Sequence, residues 1–371
     1  MPSDTWPEFL KLLTCGGYVA AAVLPLIVVS VAQCRKLREP LVPRVRPWPV
    51  PWSGLDVSLL IAVVVMMPPV VGEMLGQASF FEKIYGQDFT TTPLTTLRES
   101  SSASVAGGAA ANEVHQQLAL RLTVKGLWAG LFAFPFQVGV IILLRTALYP
   151  TWRSLPSRPS RTLPARIALA SFAWVLLTPA VFLVHFVANA LSLELGSSPD
   201  DHPLTRIATG GWRLDRVLFV LQACVTAPLM EEWICRGILL PWTTRRSHRT
   251  WTVLIAAIAI AGLVGSTAEN AVNRFGSAVF LTLILAAWRL LAQLPRGPRG
   301  QVRRRRWGGV VASAAIFAAL HSSVWPSPVP LFVFALGLGW LALATRGILA
   351  SVIVHGLFNL ISVLYVLGAA G

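Results

Sequence analysis

The chain of 371 residues is 55% hydrophobic and only 13% charged, with a mean hydropathy of +0.65. A soluble domain carries about 25% charged residues, so this composition excludes a soluble globular fold and points to a bilayer. The formal net charge of +15 does not signal a nucleic-acid partner, because the arginines fall in short connections between apolar runs, where they set membrane topology.

Read in chain order, the apolar runs predict about ten spans, each long enough for a hydrocarbon core of about 30 Å. They cover residues 15–33, 55–75, 126–147, 166–191, 216–241, 251–267, 275–294, 307–322, 329–345 and 347–368. Asp4 and Glu8 precede the first run and Arg35, Lys36 and Arg38 follow it. That is the reverse of a secretory leader, which predicts an uncleaved first span. Residues 40–51 are proline-rich and read as extended; residues 90–112 are rich in Thr, Ser, Ala and Gly and read as a flexible loop. The connections after the first, third, fifth and seventh spans carry the arginines, while 76–125 and 194–215 carry acids. The positive-inside rule then puts both termini outside and the basic loops in the cytoplasm. Cys15, Cys34, Cys224 and Cys235 have no Cys-x-x-Cys spacing, so neither a disulfide framework nor a zinc knuckle is indicated. The fold class expected is an all-α polytopic transmembrane bundle. Its N-terminal part is 1–213 with an external loop at 76–125, and its C-terminal domain is 214–371.

Within the fifth span, Glu231 and Glu232 stand side by side among apolar residues, with Arg236 following. A carboxylate at bilayer depth costs roughly 2.5–3.5 kcal/mol on insertion scales. Glu232 and Arg236 are four apart on a helix and in the favourable order for an ion pair. Glu231 points about 100° away and is free for another task. A purely structural ion pair needs one glutamate, and there are two. Phe317-x-x-x-His321 closes the eighth span, and His355-x-x-x-Asn359 puts two polar groups on one face of the tenth. His185-x-x-x-Asn189 has the same spacing but no carboxylate in its own span, and reads as structural.

Glu-Glu-x-x-x-Arg, then Phe-x-x-x-His, then His-x-x-x-Asn, each on its own span, resembles the CPBP family, the type II CAAX prenyl proteases and bacteriocin-processing (Abi-like) intramembrane proteases. The resemblance covers roughly residues 214–368, with a helix pair at about 250–306 inserted between the first and second motifs. It implies an intramembrane endopeptidase acting on membrane-associated or C-terminal-tail peptides. Glu231 would be the general base and His321 would help hold the attacking water. His355 and Asn359 would donate to the oxyanion, Glu232 and Arg236 would brace the helix, and Phe317 would orient His321. The partners expected are a peptide or protein substrate and the lipid bilayer, with no nucleic acid, in a bacterial cell membrane.

Three other readings stand beside this one. Glu231, Glu232, His321 and His355 are chemically adequate zinc ligands, although there is no His-Glu-x-x-His, and the metal-free glutamic mechanism is favoured over the zinc one. An ion-coupled transporter also uses buried Glu, Arg and His, but would show inverted repeats, and none is evident. A non-catalytic membrane scaffold or immunity protein could keep the fold without the chemistry.

Overall fold

A computed structural model describes residues 52–86, 109–143, 162–197, 203–265, 271–293 and 298–370. The first expected span and the proline-rich stretch 40–51 lie outside them. In chain order the helices are α1 Gly54–Gln77, α2 Phe80–Tyr85, α3 Ala109–Leu143, α4 Leu163–Glu194 and α5 Pro203–Gly210. Then come α6 Arg213–Thr243, α7 Ser247–Gly265, α8 Ala271–Gln293, α9 Pro298–Leu320, α10 Pro328–Thr345 and α11 Leu349–Ala370. Among the described residues there is no strand, and eight helices are long and apolar enough to cross a membrane. The protein is a polytopic all-α bundle.

Two expectations shift in detail. The arginine run 303–306, read as a connection, lies on α9, because arginine is a good helix former and nothing between Pro298 and the apolar run breaks the helix. Helix α3 starts at Ala109, well before 126, and takes up residues 109–125 at the end of the expected external loop.

The chain divides into two compact units, one formed by Gly54–Tyr149, Asp201–Ala227 and Val363–Gly371 and the other containing Pro150–Asp200 and Pro228–Ser362. In the first, α1 packs along α3. Pro68 lies inside α1 and cannot donate to the Val64 carbonyl four residues back. The buried Gln137 amide of α3 donates to that carbonyl instead, at 3.0 Å. Tyr85 gives its hydroxyl hydrogen bond to Asp215 and accepts one from the Trp128 indole at 2.8 Å, which lets an acid sit almost fully buried.

In the second unit, α4, α10 and α11 share one apolar core, with Trp174, Val181, Phe334, Leu338, Val354 and Phe358 among its members. Helix α9 packs against α7 and α10 through small residues. Ala312, Ala314, Ala315, Ala318 and Ala319 are fully buried along it, and a Cβ at Gly309 would come within 2.5 Å of the Thr244 methyl. Small residues let backbones approach where lipid provides no hydrophobic drive between helices. Large apolar side chains of α7 and α8, such as Leu263, Phe275, Leu283 and Leu290, are exposed and face lipid.

Candidate active site

The helix that carries the two glutamates is not regular. Residues Trp233–Leu239 of α6 form a π-helical turn, in which the Leu240 N–H bonds back to the Cys235 carbonyl. Its cause is in the sequence. Pro241 has no N–H for the Gly237 carbonyl, and its ring crowds that carbonyl, so the turn upstream widens. The Ser313 hydroxyl of α9 also donates to the Cys235 carbonyl at 2.9 Å, tying the widened turn to its neighbour.

Glu232 and Arg236 are both completely buried, and the Arg236 Nη1 donates to Glu232 Oε1 at 2.8 Å. The guanidinium also reaches the Ala335 carbonyl of α10 at 3.3 Å and lies 4.8 Å from the centre of the Phe317 ring. This is the pair that the four-residue spacing predicts. The structure adds a third member: His355 Nδ1 lies 3.0 Å from the same Glu232 Oε1. A carboxylate that already accepts from Arg236 has lone pairs to offer, so Nδ1 is the donor. Glu232 Oε2 meets no protein donor.

The imidazole of His355 is held between aromatic edges, with the Phe317 ring centre at 5.6 Å and the Phe334 ring centre at 5.5 Å, both T-shaped. Its other nitrogen, Nε2, lies 3.7 Å from Glu231 Oε2. That is beyond a direct hydrogen bond and close enough for one water to touch both. Glu231 keeps a third of its side chain exposed, whereas Glu232 has none. Adjacent glutamates therefore occupy opposite environments.

His321 follows directly on α9, and its Nδ1 lies 2.8 Å from the Phe317 carbonyl. A carbonyl only accepts, so Nδ1 carries the proton and Nε2 is left to face a water or a substrate. Its ring packs on Phe317 at 4.8 Å, so His321 and His355 lean on the same phenyl ring. Phe317 is thus the hinge of the constellation, touching both histidines and Arg236. Asn359 follows His355 by one turn of α11 and is half-buried. His185 is exposed on α4.

Sequence reasoning missed the contact between His355 and Glu232, which spans 123 residues of chain. It also missed the π turn at Trp233–Leu239, for which Pro241 was an available signal. Among the described residues, no three His, Cys, Asp or Glu side chains are disposed to share a metal ion. The four residues considered as zinc ligands do not make such a set, since Glu232 is taken up by Arg236 and the His355 Nδ1.

No curated protein and no solved structure is significantly similar to the chain. A family model does match: the type II CAAX prenyl endopeptidase Rce1-like family, over residues 213–295 and 288–361. These residues include every motif of the constellation, from Glu231 to Asn359. The match agrees with the three-motif resemblance, and the similarity to the Rce1-like family lies in residues 213–361.

Proposed function

We propose that this domain is an intramembrane endopeptidase in which Glu231 activates the water that cleaves a peptide bond of a membrane-associated or C-terminal-tail substrate. The observation that carries the reading is the contrast within the glutamate pair. Glu232 is sealed by Arg236 and His355, while Glu231 is open and faces His355 Nε2 across 3.7 Å.

In this mechanism Glu231 takes a proton from water, and the hydroxide attacks the scissile carbonyl carbon. His321 orients that water through Nε2. His355 acts as an imidazolium, with Nδ1–H on Glu232 and Nε2–H turned to the oxyanion, beside the Asn359 amide. Two carboxylates then face one guanidinium and one imidazolium, so the four charges cancel within the site. As the tetrahedral intermediate collapses, the C–N bond breaks and the leaving amine takes the proton back from Glu231. No step is routed through a metal.

The test uses the full chain in lipid nanodiscs with two sets of fluorogenic tail peptides, one farnesylated on a CAAX cysteine and one unmodified. Wild type should cleave at least one set. Glu231→Gln should cleave neither while keeping the wild-type helical signal and melting temperature, because the amide has the size of the carboxylate and cannot take the proton. Cleavage by Glu231→Gln at the wild-type rate would overturn the assignment.

A further inference from the structure

The second unit is strongly charged at one end, and the chemistry above does not use that charge. Arg245 and Arg246, both exposed, follow α6, and Arg249 lies in the first turns of α7. Thr244, just before them, meets α9 at Gly309, where an added Cβ would lie 2.5 Å from its methyl and 3.2 Å from its backbone nitrogen. Arg305 is one turn before Gly309 on the same face of α9, so it is aimed at this α6–α7 corner, and it too is exposed. Two basic segments about 60 residues apart in sequence therefore meet in one place.

Among the described residues of this unit, no acid lies at Arg246, Arg249 or Arg305: the carboxylates are Glu194, Glu231 and Glu232, and none lies on α7, α8, α9 or the α6–α7 corner. The tryptophans set the depth. The Arg249 guanidinium lies 4.6 Å over the Trp242 ring and donates to the Trp242 carbonyl at 3.1 Å, while Trp307, two residues after Arg305, is 40% exposed. An exposed indole beside guanidinium groups, as at Trp307, marks the headgroup layer of a bilayer. The Trp242 indole N–H, beneath Arg249, meets no protein acceptor.

We infer that the corner formed by Arg246, Arg249 and Arg305 binds the phosphate of an anionic phospholipid headgroup. A phosphodiester there accepts charge-assisted hydrogen bonds from two or three guanidinium groups and relieves their mutual repulsion. The start of α7 adds the positive end of its helix dipole. A lipid held at this corner fixes the height of the C-terminal end of α6, and hence the depth of Glu231, about 20 Å away along the helix.

The experiment is native mass spectrometry of the full chain in detergent, titrated with dioleoyl phosphatidylglycerol or dioleoyl phosphatidylcholine. Wild type should retain phosphatidylglycerol in preference to phosphatidylcholine. Arg246→Gln with Arg305→Gln should weaken that retention by on the order of 30-fold, and Arg246→Lys with Arg305→Lys should keep most of it. Arg274→Gln, which removes one positive charge at the other end of α8, should leave it unchanged. Equal retention by the double glutamine variant and wild type would overturn the site. So would an equal loss in Arg274→Gln, which would mean a general charge effect. Displacement by inorganic phosphate at concentrations matching the lipid would assign the corner to a soluble anion and overturn the lipid.

Discussion

Replacing Arg236 by methionine tests whether the buried pair is what holds the site together. The substitution keeps most of the apolar stem and removes only the guanidinium. Three interactions go with it: the charged hydrogen bond to Glu232 Oε1 at 2.8 Å, the longer bond to the Ala335 carbonyl at 3.3 Å and the contact over Phe317 at 4.8 Å. A charge-assisted hydrogen bond contributes about 1.5–3 kcal/mol and a desolvated cation–π contact about 0.5–2 kcal/mol. The sum agrees with the 3–5 kcal/mol typical of breaking a buried pair from one side, since Glu232 is left sealed with a charge that only His355 answers. Against a total stability of about 5–15 kcal/mol, that is a large loss. Adding Glu232→Gln should recover most of it, because the amide keeps an acceptor for His355 Nδ1 and removes the unanswered charge. Tryptophan fluorescence during denaturant unfolding in detergent compares wild type with both variants. If Arg236→Met unfolds with wild type, or the double variant is no better than the single one, the pair is not the brace argued here.

Three further outcomes follow from the same geometry. Asn359→Ala should lower kcat by about 10²–10³, the usual loss for one oxyanion donor, with an unchanged melting curve; an unaltered kcat would remove Asn359 from the oxyanion site. Exhaustive chelation should leave peptide cleavage intact, whereas stoichiometric zinc whose removal stops cleavage and whose return restores it would replace the glutamic mechanism with a metal one. Gly309→Ala should destabilise by about 1–3 kcal/mol, since the new methyl meets Thr244 at 2.5 Å on the side chain and 3.2 Å on the backbone, and a thermal shift assay that finds no change would show that the α6–α9 approach is looser than described.

Much of the site was legible because its parts are local. Four-residue spacing gives the Glu232–Arg236 pair, and the 100° step along a helix separates Glu231 from it. The same spacing puts His321 over the Phe317 carbonyl. What could not be read is what depends on packing between distant helices. Nothing in the α11 sequence says which of the two glutamates takes Nδ1 of His355, and spacing alone gives it the same pattern as His185. Among the described residues, the spans other than α9 were legible from hydropathy. Helix α9 blurred that signal because its first half is arginine-rich and its second half is alanine and glycine buried among other helices. Its start was misjudged for that reason, although arginine favours a helix as well as a loop. The π turn was hidden because it depends on one proline beyond the motif and not on any pattern within it.

Why two adjacent glutamates persist in a membrane span follows from the difference between them. A single exposed carboxylate would face a histidine free to turn away. Here the orientation of His355 is set from behind: Glu232 Oε1 holds Nδ1, Arg236 holds Glu232, and Phe317 and Phe334 flank the ring. Rotation about the ring axis would break the bond to Glu232 and bury an unanswered nitrogen, which costs about 1–3 kcal/mol. Nε2 therefore stays directed at Glu231 in the absence of substrate. The buried pair contributes little or nothing to net stability, since desolvating two charges offsets most of their attraction. Its effect is directional. It turns a mobile imidazole into a fixed one, and leaves Glu231 as the carboxylate of the pair with room for water.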